Sequence, residues 1–182
     1  MDKMGNTGGK VGLFIGRFQP LHNGHVQAIK ECASKVNVLW IGIGSMEKSR
    51  ETENPWSFRE RVWMVRRVLK AEGVENYSLF GIQDYADDET WVGEIVKKVG
   101  RKRENGIDVV FTGNSWTAET FEKQGFLVEK LRLYGQFSAT KVRDAFLMRE
   151  GWQSMVPVVL HSFLNNRLPK GKRKGKTESK SF

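Results

Sequence analysis

The sequence predicts a doubly wound parallel α/β sheet in a single domain, and three observations carry that reading. Five short apolar runs alternate with stretches of helical period. The runs end at glycine or turn residues, as strands buried on both faces do. The polar segments "GRFQPLHNGH", "GIGS", "QDYADD" and "FTGNS" each begin where a run ends. In such sheets ligands sit beyond the carboxyl ends of the strands, where strand order reverses. The polar segments therefore place a site before any motif is considered.

Val11–Ile15, "VGLFI", reads as the first buried strand and stops at Gly16. From Gly24 the apolar positions Val26, Ile29 and Ala33 recur at helical spacing. "VNVLWIGIG" gives a second strand that ends at Gly44 and Ser45. Phe58, Val62, Val65 and Leu69 form one face of a helix that Gly73 suits as a terminator. A strand over Tyr77–Ile82, a helix over Trp91–Val99 and a strand over Ile107–Thr112 follow. A helix after Ser115, a strand over Leu127–Leu133, and helices over Thr140–Arg149 and Met155–Asn165 complete the pattern.

The chain has 182 residues, 39% of them hydrophobic, enough for one core. Its apolar runs, Val36–Ile43 and Met155–Leu160 among them, are far too short to span a membrane, and Met1–Gly5 shows no apolar signal region. A cytoplasmic protein is expected. The single cysteine, Cys32, has no disulfide partner and reads as a small core residue on a helix. Of the net charge of +9, six units lie in residues 167–182, where seven Lys and Arg face Glu178 alone. The domain is expected over residues 10–166, with a flexible leader at 1–9 and a disordered basic tail at 167–182. Such a tail can touch RNA, but a solvated terminus is the favoured reading and no nucleic-acid partner is expected.

Two of the three histidines, His22 and His25, fall within "LFIGRFQPLHNGH". Their spacing alone suits zinc, but no cysteine pair or HExxH accompanies them and His161 is distant. A helix cap is the simpler alternative. Phosphate binding fits more of the stretch: Gly16 permits a close turn, Arg17 offers a planar donor fork, and Gly24 lies between two imidazoles at a helix start whose free amides attract anions. The segment is neither a Walker A loop nor GxGxxG. In "FSATKVRDAF", Ser138 and Thr140 can cap a helix whose first turn carries Lys141 and Arg143, cations that oppose its dipole unless an anion binds there.

"GRFQPLHNGH" joined to the distant "SATKVR" resembles the HxGH and SxTxxR motifs of the nucleotidyltransferase superfamily, a Rossmann-like group. Within it, "IGIGS", "ENPWSFRERV", "IQDYADDETWVGEI" and "FTGNS" are similar to the archaeal-type nicotinamide-nucleotide adenylyltransferases, from about Val11 to Leu164. That resemblance implies transfer of AMP from ATP to nicotinamide mononucleotide (NMN), giving NAD and pyrophosphate, with Mg²⁺ accompanying ATP and no protein-bound metal. It implies His25, His22 and Arg143 as catalytic residues. Gly16, Arg17, Gly24, Gly113, Asn114, Ser138, Thr140 and Lys141 would bind the nucleotide, and Asp84, Trp91 and Arg50 the NMN. A trimer or hexamer is the family's habit. Glu53 stands where some relatives carry an arginine, and Ala139 replaces a common glycine. The alternatives are an adenylyl- or cytidylyltransferase of the same fold with another phosphate acceptor, and an RNA-binding protein acting through the basic tail.

Overall fold

The computed structural model describes residues 9–100, 106–132 and 137–167. Its strands are β1 (Val11–Gly16), β2 (Val38–Ile43), β3 (Tyr77–Gly81), β4 (Val109–Thr112) and β5 (Val128–Lys130). All pair in parallel, in the order β3-β2-β1-β4-β5. The helices are α1 (Asn23–Ser34), α2 (Phe58–Ala71), α3 (Asp88–Gly100), α4 (Ser115–Lys123), α5 (Ala139–Met148) and α6 (His161–Asn165).

From β1 the chain steps outward to β2 and β3, then returns across the sheet to β4 and β5. Right-handed crossovers taken in opposite directions place their helices on opposite faces. Accordingly α1 and α2, joined by α5, cover one face, while α3 and α4 cover the other. The strands feed both layers by alternation. Leu39, Ile41 and Ile43 enter the α1/α2 layer, and Trp40 enters the α3/α4 layer. Buried on both faces, these strands show the continuous apolar runs of the sequence. Truncating one such side chain, as in Ile41→Ala, costs about 2–5 kcal/mol. Where β1 meets β4, a Cβ on Gly12 would lie 2.7 Å from the Phe111 ring, so this contact requires glycine.

Strand order reverses at β1, and the chain leaves β1 and β4 into opposite layers. That divergence opens a crevice at their carboxyl ends.

Several boundaries differ from the sequence reading. Helix α3 starts at Asp88, a turn before Trp91, because Asp87 Oδ1 accepts the Thr90 N–H at 2.7 Å. Strand β5 is confined to Val128–Lys130, and Leu133 lies outside the described residues. The helix expected over Met155–Asn165 is broken into 3₁₀ turns at Trp152–Met155 and Val158–Leu160, followed by the short α6. Pro157 is the cause: it lacks an N–H and holds Val156 extended, at φ −122° and ψ 152°. Cys32 is fully buried on α1. The tail from residue 168 and the leader to residue 8 lie outside the described residues. No helix among those described is long and apolar enough to cross a membrane.

Candidate active site

Helix α1 starts with a reciprocal cap formed by two histidines. His22 is the N-cap: its Nδ1 accepts the His25 N–H at 3.3 Å, and His25 Nδ1 accepts the His22 N–H at 3.4 Å. The rings stack with centroids 3.6 Å apart. This is the capping-box arrangement with imidazoles in place of the usual Ser and Glu side chains. Capping and ligand binding, alternatives in the sequence, are compatible here because they use different nitrogens. With both Nδ1 atoms accepting, each neutral ring carries its proton on Nε2 and has one donor left to offer. Burial lowers the His22 pKa to about 4. Burial, and secondarily the charge of His22, pushes His25 well below the ordinary imidazole range. At neutral pH the pair therefore supplies N–H donors without positive charge.

The loop before α1 is held at four points. Phe18, at φ 52°, sets its ring edge-on to His25 with centroids 5.0 Å apart. A Cβ on Gly16 would lie 2.9 Å from that Phe18 ring, so glycine is required at the end of β1. Gln19 exchanges two hydrogen bonds with the Trp56 backbone, at 2.9 and 3.0 Å. Arg143 Nη1 donates to Gln19 O at 2.9 Å, and its Nη2 donates to Thr140 Oγ1 at 3.2 Å. Thr140 thus receives Arg143 rather than capping α5, and Ser138 alone caps that helix by accepting the Lys141 N–H. Partial burial and the nearby charge of Arg17 lower the Arg143 pKa.

The fourth hold is Arg61, which the sequence reading passed over. Its Nη1 donates to Arg17 O at 2.9 Å and Gly44 O at 2.6 Å, and its Nη2 to Ser45 O at 2.9 Å. The side chain is 0% exposed. Burial lowers its pKa to about 10, which leaves it cationic at neutral pH. One guanidinium thereby joins the segments that leave β1 and β2.

These elements enclose a cleft of about 360 Å³. Of the sequence-predicted residues, it is lined by His22, Gly24, His25, Gly113, Asn114 and Ser138, with Phe14, Ile15, Thr112 and Ala139 beside them. Arg132 and Phe137 also line it and were missed. Arg132 lies just past the end of β5, the kind of position that marked the other segments. No carboxylate or cysteine is among the lining residues. Asn114 caps α4 through Oδ1, which accepts the Thr117 N–H at 2.9 Å.

The remaining expected residues lie outside that lining. Arg17 is half exposed and pairs with Glu53 at 3.5 Å. Lys141 is exposed on α5. Arg50 binds Pro55 O and Glu60 at the start of α2 and shares a separate depression with Arg143 and Arg167. Asp84 accepts from Ser45 Oγ at 2.9 Å and pairs with Lys48 at 2.6 Å. Partial burial raises its pKa, but the bonds from Lys48 and Ser45 more than offset this and hold the carboxyl below its usual range. Trp91 is 8% exposed in the α3/α4 layer, its ring centroid 5.1 Å from that of Trp116. Trp116, half exposed on the first turn of α4, carried no pattern that set it apart in sequence.

Among the described residues no three His, Cys, Asp or Glu side chains converge on a possible metal position. His161, the third histidine, is engaged elsewhere, with Nε2 3.0 Å from Gln153 O.

Residues 13–145 match the cytidylyltransferase-like family. The chain is 37% identical over 158 residues to the nicotinamide-nucleotide adenylyltransferase of Thermococcus onnurineus, covering 85% of this chain and 82% of that one. It is 38% identical to the enzyme of the same name from Thermococcus kodakarensis, with the same coverage. Among solved structures, it is similar to a bifunctional NMN adenylyltransferase/ADP ribose pyrophosphatase from Francisella tularensis, complexed with AMP and a manganese ion, with a TM-score of 0.72 and 25% identity. That match covers 81% of this chain but only 44% of the Francisella chain. Sequence identity of 37–38% over most of both chains shows that the protein belongs to the nicotinamide-nucleotide adenylyltransferase family.

Proposed function

We propose that this protein transfers the adenylyl group of ATP to NMN, releasing pyrophosphate and forming NAD. The observation that carries the reading is the neutral histidine pair at the N-terminus of α1, facing a cleft without carboxylates. The family's activity and the archaeal relatives support it.

The chemistry needs no activated side-chain nucleophile. An NMN phosphate oxygen, already anionic at neutral pH, attacks the α-phosphorus of ATP. A phosphorus–oxygen bond to NMN forms as the bond to the departing pyrophosphate breaks. The protein's task is alignment and charge stabilisation. In this reading His25 donates from Nε2 to the α-phosphate as negative charge grows there, and His22 donates to the polyphosphate. Neutral donors suit the task, because proximity to the anion strengthens their bonds as the transition state forms. The amides at the starts of α1 and α5 add to the same field. Arg143, with Lys141, stabilises the leaving pyrophosphate, and Arg17 binds phosphate once it leaves Glu53. Gly16, Gly24 and Gly113 allow close approach of the nucleotide, and Asn114, Ser138 and Thr140 complete the ATP site. Asp84 and Trp91, with Arg50, bind NMN. Residues 10–166 form the catalytic unit.

The lining also fits a divalent cation, Mg²⁺ in this reading, that arrives on ATP, since phosphate oxygens and water meet its needs where carboxylates are lacking. Such an ion neutralises charge on the triphosphate.

The test is NAD formation from ATP, Mg²⁺ and NMN, followed by a coupled dehydrogenase, in the wild type and in His25→Ala. The variant should lose at least about a hundredfold in kcat, the usual cost of one oxyanion donor. A chain that binds ATP but makes no NAD would move the reading to another phosphate acceptor.

A further inference from the structure

Trp116 stands on the first turn of α4 with half of its surface exposed, and the adenylyl transfer described above does not use it. A single exposed aromatic is ordinary on a protein surface. This one is set apart by its place and its neighbour. Asn114, two residues before it, lines the catalytic cleft, and side chains in a first helical turn lean back past the helix start. Its neighbour is Trp91, on the first turn of α3, with ring centroids 5.1 Å apart and planes inclined by 46°. Phe121 packs edge-on to Trp91 at 5.7 Å. The two helices are joined beside the pair: Thr120 Oγ1 donates to Asp88 Oδ2 at 3.1 Å, and Gln124 Nε2 to Asp88 O at 3.4 Å. Two indoles inclined at 46° are neither stacked nor edge to face. They make a fixed aromatic corner at the carboxyl edge of the sheet, with Trp91 packed and Trp116 open to solvent.

The charges around the corner specify what fits it. A helix start ordinarily repels cations through its dipole. Here Asp87, Asp88 and Glu89 crowd the start of α3, and Glu119 lies one turn along α4 from Trp116. None of these four carboxylates forms an ion pair among the described residues. The cations on the surrounding elements are engaged or placed elsewhere. Lys48 pairs with Asp84, Arg17 with Glu53, Lys97 with Glu94 and Lys130 with Glu122. Lys98 donates to Gly81 O, Lys123 stands in the last turn of α4, and Arg132 lines the cleft. An aromatic corner rimmed by carboxylates suits a planar cation, which gains cation–π attraction from an indole face. The pyridine ring of NMN is such a cation, because its nitrogen is quaternary where it joins the ribose. In nicotinate mononucleotide the ring carboxylate cancels that charge and meets the carboxylates of α3 and α4.

We propose that Trp116, together with Trp91, selects the pyridinium ring of NMN over its nicotinate counterpart, which makes Trp116 a specificity-determining residue; the inference rests on the adenylyl-transfer reading given above. The ring lies on the open indole of Trp116 with Trp91 as the second wall. Because the two helices hold the indoles in place, little side-chain order is lost on binding.

The test is kcat and KM for NMN, nicotinate mononucleotide and ATP in the wild type, Trp116→Leu and Trp116→Tyr. Isothermal titration calorimetry with each mononucleotide accompanies it, in the presence of α,β-methylene ATP, which cannot transfer its adenylyl group. Trp116→Leu should raise KM for NMN about three- to tenfold, raise that for the nicotinate form at most about twofold, and leave that for ATP unchanged. Trp116→Tyr, which keeps an aromatic face, should recover most of the loss. An unchanged KM for NMN in Trp116→Leu overturns the proposal. So does an equal rise for both mononucleotides, which would make Trp116 a support for Trp91 rather than a selector. If the wild type forms no dinucleotide from either mononucleotide, the adenylyl-transfer reading fails on its own, and calorimetry decides the role of Trp116. Tighter binding of NMN than of the nicotinate form, lost in Trp116→Leu, sustains it; equal binding of the two, or none, overturns it.

Discussion

Replacing Arg61 by methionine removes the guanidinium that joins the segments leaving β1 and β2 while keeping much of the buried volume. Three carbonyl acceptors, buried on Ser45 and partly buried on Arg17 and Gly44, lose their side-chain donor. An orphaned buried acceptor costs about 1–3 kcal/mol. Against this, the variant no longer buries a cation or an Nε that lacks a partner, and relief of that desolvation offsets part of the loss. The net expectation is a destabilisation of about 3 kcal/mol, or roughly 6–12 °C in Tm for a domain of this size. Arg61→Lys should recover only part, because an ammonium cannot reproduce the planar fork across carbonyls of two loops. Urea denaturation measures the stability. KM for ATP and NMN, taken at a temperature where the variants remain folded, measures the loop. Because Arg17 O is one of the three acceptors, KM should rise severalfold in both variants, beyond any loss of folded protein. If Arg61→Met unfolds within about 0.5 kcal/mol of wild type and retains both KM values, the clamp argument is wrong.

Three further outcomes are expected. Because His22 is held at about 4 against an ordinary 6.5, the unfolded chain takes up that proton first as pH falls. The stability that His22 contributes should therefore be fully present above pH 6.5 and decline toward pH 4, by about 3 kcal/mol at most; His22→Asn, which keeps a capping acceptor but does not titrate, should reduce the acid slope in urea titrations, and the part that persists belongs to His25, which burial also holds low. Glu53→Gln removes the carboxylate that pairs with Arg17 across an exposed contact, so KM for ATP should fall about two- to fivefold with stability unchanged, and an unchanged KM would detach Arg17 from the nucleotide phosphates. If Trp91 stacks on the nicotinamide ring, Trp91→Phe should raise KM for NMN severalfold and leave that for ATP alone; equal effects on both would make Trp91 a core residue, as its packing against Trp116 and Phe121 already equips it to be.

The parts of this protein legible in its sequence are those that depend on short-range pattern. Strand β2 reads as buried because each of its faces meets a helix layer, and every side chain from Leu39 to Ile43 must then be apolar or glycine. The starts of α1 and α5 are visible because capping and anion-binding residues must lie within a turn of the helix they serve. Position at the ends of β1 and β4 marked His22, His25, Gly113 and Asn114 for one cleft, and Ser138 joins them from the start of α5.

What only the tertiary structure decided depends on partners that sequence does not mark. Arg61 sits in "FRERVWMVRR" as one of four arginines that look alike, and its acceptors are backbone carbonyls, a chemistry every residue shares. The fold buries this one and leaves Arg59 and Arg66 in water, and that difference in solvation separates a loop clamp from a surface charge. The two histidines show the same division. Their spacing suggested zinc, a cap or a phosphate site, and the choice rested on which nitrogen faced the amides of α1. Once both Nδ1 atoms accept those amides, only Nε2–H remains, and geometry rather than composition makes the pair neutral donors.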